Sequence, residues 1–147
     1  MRAPTLRTLL AATFVALVAA VGCSSSGGNP PQPTGKAAEC QRFAAIVNAA
    51  KIGASIGKDK AQLETEAKNA VMLDQDIGKL EITDAELKRL VTEYRGNVTA
   101  YATVMSDGAE ALEGDLDGLV KIMKSASVIA EKNVTVTQQI KAYCTAK

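Results

Sequence analysis

Four stretches of the chain carry apolar residues at helical spacing. From about Lys36 to Ile56, Cys40, Phe43, Ala44, Val47, Ala50 and Ala54 recur three and four residues apart, with Ile46 and Ile52 widening the stripe. Gly53 and Gly57 loosen the end of that segment. A second segment, from about Asp59 to Leu80, turns Leu63, Ala67, Ala70, Val71, Leu73, Ile77 and Leu80 inward. The third begins at Thr83-Asp84-Ala85-Glu86, which fits a capping box: the Thr83 hydroxyl accepts from the Glu86 amide and the Glu86 side chain reaches back. Leu87, Leu90, Val91, Tyr94, Val98, Tyr101, Met105 and Leu112 then keep the period toward Glu113, until Gly114 and Asp115 break it. In the fourth, Ile122, Ala126, Ile129, Asn133, Val136, Ile140 and Tyr143 alternate steps of four and three, the seam of a left-handed bundle helix. A seam asparagine either pairs with another buried polar group and fixes register, or turns to the edge and faces water.

The pattern predicts an all-α fold, an up-and-down four-helix bundle with helices over about 36–56, 59–80, 83–113 and 115–145. A three-helix bundle with a long kinked first helix is the alternative. Composition agrees: proline is absent after Pro33, and helix formers dominate. At 1.5 Å per residue the first two helices reach roughly 30–33 Å and the last two about 46 Å. The third-to-fourth hairpin is therefore expected to project beyond the others, at the end away from the N-terminal tether.

The first 35 residues follow different rules. Arg2 and Arg7 precede an uncharged apolar run from Leu9 to Val21, too short for the roughly 20 residues that cross a bilayer as a helix. A basic start and a short apolar stretch fit a secretory signal peptide. The run ends in Ala20-Val21-Gly22-Cys23, which resembles the lipobox of bacterial lipoproteins, although Leu, Val or Ile is commoner than Ala at the first of these positions. The resemblance implies cleavage before Cys23 and its lipidation, with several acyl chains where one holds only marginally. Residues 1–22 are then the signal peptide, and 23–35 a lipidated cysteine followed by a Ser/Gly/Pro tether. At up to about 3.3 Å per residue that tether reaches roughly 40 Å. Residues 36–147 are the helical domain. The resemblance also implies an exported, membrane-anchored protein, on the periplasmic side of the outer membrane or at the cell surface. Ser24 lacks the aspartate signal that retains such proteins at the inner membrane.

The chain has three cysteines. With Cys23 lipidated, Cys40 and Cys144 remain in an oxidising compartment, where disulfides persist; two buried free thiols are the alternative. Closing a loop of about 100 residues restricts the unfolded chain by roughly 4–5 kcal/mol. Cys40 lies in the first turn of the first helix and Cys144 in the last turn of the last, and only an even number of up-and-down helices brings those turns together.

Composition removes most chemistry. There is no histidine, the usual general base and commonest transition-metal ligand, and no tryptophan. No glycine-rich phosphate loop or serine elbow is found, so the reading is no enzyme, no catalytic residue and no cofactor. Removing Arg2 and Arg7 with the signal leaves fifteen basic residues against sixteen acidic, a net charge of −1, which argues against nucleic acid as a partner. Asp107, Glu110, Glu113, Asp115 and Asp117 form an acidic cluster at the expected tip. As calcium ligands they lack the EF-hand spacing, and a solvated loop is the plainer reading. Tyr94 and Tyr101, one heptad apart, read as core residues with peripheral hydroxyls. The function expected is a non-catalytic module that binds another envelope component or plays a structural role. A binding protein for a small apolar ligand or a cation is the alternative.

Overall fold

The computed structural model describes residues 35–50, 52, 59–114 and 116–146. Within them the secondary structure is helical: α1 (Lys36–Ala49), α2 (Lys60–Gly78), α3 (Ala85–Ala111) and α4 (Leu116–Thr145), forming a helical bundle. Cys40 and Cys144 are joined in a disulfide, their Cα atoms 5.9 Å apart. Residues 1–34, among them the expected lipidation site Cys23, lie outside the described residues, as does Asp115.

The starts of α2 and α3 are set by aspartates. Asp59 caps α2, its carboxylate accepting the Gln62 N–H at 2.9 Å. Asp84 caps α3, accepting the Leu87 N–H at 2.8 Å. The cap expected at Thr83 is therefore displaced by one residue, and the reciprocal box is not formed, since Leu87 stands three residues beyond Asp84. A carboxylate in the field of a helix N-terminus is a stronger acceptor than a neutral hydroxyl. The Thr83 hydroxyl donates instead to Glu39 on α1, and Glu86 pairs with Arg89 at 2.7 Å.

The first helix is shorter than its stripe. It ends at Ala49, where Ala50 turns to extended backbone at φ −69°, ψ 133°, so the expected run to Ile56 is not helical throughout. Gly53 and Gly57 each lower helix propensity by about 1 kcal/mol, so little is gained by propagating past Ala50. Ile52 nonetheless returns to the core and is buried.

The core divides along its length. Near the disulfide, Phe43, Ile77, Leu87, Leu90, Tyr94 and Ile140 belong to one cluster, with Phe43 and Tyr94 meeting edge to face at 5.3 Å. Farther out, a thinner cluster of Leu63, Val104, Met105, Ala109 and Ala126 continues it. Two residues expected inward are exposed instead, Val71 at 47% and Leu112 at 41%. Each lies at the margin of its stripe, where Ala70, Leu73 and Ala109 take the inward positions.

Helix lengths do not produce a projecting hairpin. Lys60, the first residue of α2, pairs with Glu113 beyond the end of α3, and Leu63 packs over Gly108. The far ends of α2 and α3 are thus level. The extra length of α3 lies at the opposite end, past Gly78, where Phe43 of α1 and Tyr143 of α4 flank it instead. The connection 79–84 runs beside this part, so the additional turns serve the disulfide end.

Candidate functional site

The densest polar arrangement sits beside the disulfide. Glu39 precedes Cys40 and stands one turn before Phe43, so burying that stripe carries its carboxylate inward, to 4% exposure. Glu39 Oε1 accepts the Thr83 N–H at 3.0 Å and the Thr83 hydroxyl, while Oε2 accepts the Asp84 N–H at 3.2 Å. These backbone groups lead into α3, whose first turn carries partial positive charge. The Thr83 hydroxyl, and then the backbone donors, hold the Glu39 carboxyl below its ordinary pKa. The Asp84 carboxyl is also lowered, first by the Leu87 N–H and then by the Tyr143 hydroxyl, which donates to it at 2.8 and 2.9 Å. That same bond raises the Tyr143 phenol. Lys36 closes the arrangement, its ammonium 4.2 Å from the Tyr143 ring centroid and donating to the Ala146 carbonyl at 3.2 Å. In this clasp the carboxylates accept hydrogen bonds that tie α1, α3 and α4 together. Both described cysteines are oxidised, so neither offers a free thiol beside it.

At the other end, Asp107, Glu110, Glu113 and Asp117 are exposed. The acidic run is not left to itself, because Lys60 reaches across from α2 to Glu113. Pairing with Glu113, helped by Glu64 and Glu110, raises the Lys60 ammonium above its ordinary value. Gly114, at φ +142°, takes a backbone conformation that side chains disfavour and so permits the turn into α4. Among the described residues, no three acidic, histidine or cysteine side chains converge tightly enough to hold a metal ion.

Two further features are apolar. A groove of about 540 Å³ lies between the end of α1 and α2, floored by Ile46, Ala49, Ala50, Met72, Leu73 and Leu80. The Asp76–Lys79 ion pair, 2.7 Å long, stands at its rim. Val120, Met123 and Val128 are exposed along the outer part of α4. None of the described helices is long and apolar enough to cross a membrane.

Tyr94 is a core residue as expected, but its hydroxyl departs from expectation. Tyr94 is 1% exposed, and burial pushes its phenol up to about 12, with the neighbouring Asn133 amide offsetting part of the rise. Its hydroxyl is therefore internal and not peripheral. Tyr101 is half-buried and also raised to about 12, by burial and by the charge of Glu66. Asn133 is buried at 6% exposure, which settles the choice between seam and edge.

Sequence reasoning passed over Glu39, Glu66 and the Arg95–Asp74 pair, whose guanidinium donates at 2.7 Å. The first two were marked in the sequence. Glu39 stands four residues before Phe43, and Glu66 lies three after Leu63 and four before Ala70, so both are carboxylates on an apolar stripe. The third joins two helices and leaves no local signal. No family model, curated protein or solved structure matches the chain, so its fold and its polar clasp stand on their own residues.

Proposed function

We propose that this chain is a non-catalytic helical module of the bacterial cell envelope, exported and anchored through lipid on Cys23, that binds another envelope protein or supports the envelope structurally. On this reading the domain is an up-and-down four-helix bundle whose anchored end is its strongest end. The observation that carries it is the position of Lys36, where the tether joins the domain. Lys36 sits on the Tyr143 ring, beside the disulfide and the Glu39 clasp. A pull through the tether would act on the part of the fold where a covalent bond and several charge-assisted hydrogen bonds join three helices. The absence of histidine from the sequence and the oxidation of both domain cysteines support a non-catalytic role. Contact with a partner would use the exposed Val120, Met123 and Val128 on α4, far from the anchor.

Mild crosslinking in the intact envelope, followed by mass spectrometry of the captured species, tests this. A discrete partner lost on Val120→Asp/Met123→Asp substitution, with the fold retained, supports it. Capture that is unaffected by those changes places the contact elsewhere. The groove between α1 and α2 favours a second reading, binding of a small apolar ligand, because its volume falls in the range of ligand pockets. Native mass spectrometry of protein extracted gently from the envelope would then find a co-purifying apolar molecule, which Ala50→Trp should displace.

A further inference from the structure

Between α3 and α4, three polar atoms are buried without a hydrogen bond: the Tyr94 hydroxyl, Asn97 Nδ2 and Asn133 Oδ1. Tyr94 and Asn133 are among the most enclosed residues of the fold, at 1% and 6% exposure. Buried polar groups are nearly always satisfied, so a cluster of three needs an occupant or a partner. The register supports treating them as one site. The Tyr143–Asp84 bond fixes α4 antiparallel to α3 and brings Asn133 abreast of Tyr94. The Asn133 amide is near enough to the Tyr94 hydroxyl to lower the phenol as a polar neighbour, while the Tyr94 hydroxyl and Asn133 Oδ1 are each left without a hydrogen-bond partner. Asn97, one turn beyond Tyr94, lies by helical spacing on the same flank of α3 as Val104, which shares a core cluster with Ala126, and Gly108, which faces Ile122 of α4.

We propose that Tyr94, Asn97 and Asn133 form a built site for one internal water that bridges α3 and α4. The donor and acceptor inventory selects the ligand. The Asn97 amide N–H donates, the Asn133 carbonyl accepts, and the Tyr94 hydroxyl does either, which matches the capacity of a single water. A cation would find an amide N–H turned toward it, an anion would meet the Asn133 carbonyl, and an apolar molecule would leave all three groups unpaired. The site lies within the seam and away from the anchor and the exposed face of α4, so it is independent of the functional reading above.

A high-resolution crystal structure of the full chain tests the site, read together with water-to-protein magnetisation transfer in solution. The expected result is one ordered water within about 3.2 Å of all three atoms, with a residence time long enough to give cross-peaks to Asn97 and Asn133. In Tyr94→Phe, which keeps the ring and its packing on Phe43, those cross-peaks should weaken as the water loses one partner. Direct bonding between the two asparagine amides, or a dry contact among the three groups, would overturn the proposal. So would cross-peaks left unchanged by Tyr94→Phe.

Discussion

Removing the Cys40–Cys144 bond by the double substitution Cys40→Ala/Cys144→Ala should destabilise the domain as severely as a large-to-small truncation in the core beside it. The two residues are 104 apart in sequence. Releasing a loop of that length restores unfolded-state entropy worth about 4.7 kcal/mol at 25 °C in the chain-entropy model. For a folded region of this size that corresponds to a fall in Tm of about 20 °C. The structure adds where the loss is felt first. The short α1 rests on the body through Phe43, Ile46 and Val47, and at its start through the bond to Cys144 and the Glu39 hydrogen bonds. Urea unfolding measures the total: the midpoint should drop, and m should rise because the uncrosslinked chain unfolds to a more expanded state. Hydrogen exchange measures the distribution, and amides of α1 and of the last turns of α4 should lose protection ahead of α2 and the middle of α3. A loss below about 1 kcal/mol with m unchanged would refute the reasoning, because the bond would then be constraining the unfolded ensemble hardly at all.

Glu39→Gln turns part of an acceptor into a donor facing Thr83 and Asp84, so the melting temperature at neutral pH should fall. Glu39 and Asp84 have folded pKa values below their unfolded ones, so their stabilisation is present above the ordinary carboxylate range and is lost as pH drops below about 4; the variant should show a shallower acid transition than the parent. Gly96→Ala, on an exposed face of α3 with nothing near the added methyl, should raise stability by about 0.5–1 kcal/mol in the same urea assay. Thermal melts with millimolar calcium and with chelator should coincide, since a folded-state site at a hundredfold excess over Kd would separate them by about 2.7 kcal/mol; a calcium-dependent rise removed by Asp115→Asn/Asp117→Asn would make this a cation-binding protein.

The helices were legible because their apolar stripes are long and regular: Leu87, Leu90, Tyr94 and Val98 on α3, and Val136 and Ile140 on α4, are core residues as their spacing implied. The disulfide was expected because the lipobox resemblance set Cys23 aside and implied export, and because the two remaining cysteines stand at matching ends of the first and last helices. The errors have a common origin in contacts between distant segments. Thr83 looked like a cap, but Glu39, 44 residues earlier in the chain, draws its hydroxyl and backbone N–H away from that role. Helix lengths alone suggested an outward hairpin. Lys60 beside Glu113 and Gly78 beside the Arg95 guanidinium show that the surplus of α3 faces the other way. The acidic cluster was expected as a solvated loop at the tip that helix lengths suggested, and only the fold brings Lys60 to it. Asn133 could face either way on sequence, because a one-step rotation of α4 decides it, and the packing of Val136 and Ile140 sets that rotation.

The central claim is a disulfide-closed bundle held in the envelope by its clasped end. Intact-mass and peptide mass spectrometry of the protein extracted from membranes without reductant tests it most directly. The account predicts a chain beginning at an acylated Cys23, with Cys40 linked to Cys144. A chain that keeps residues 1–22, or one with an unmodified Cys23 in a soluble fraction, would contradict the anchor and with it the proposed role.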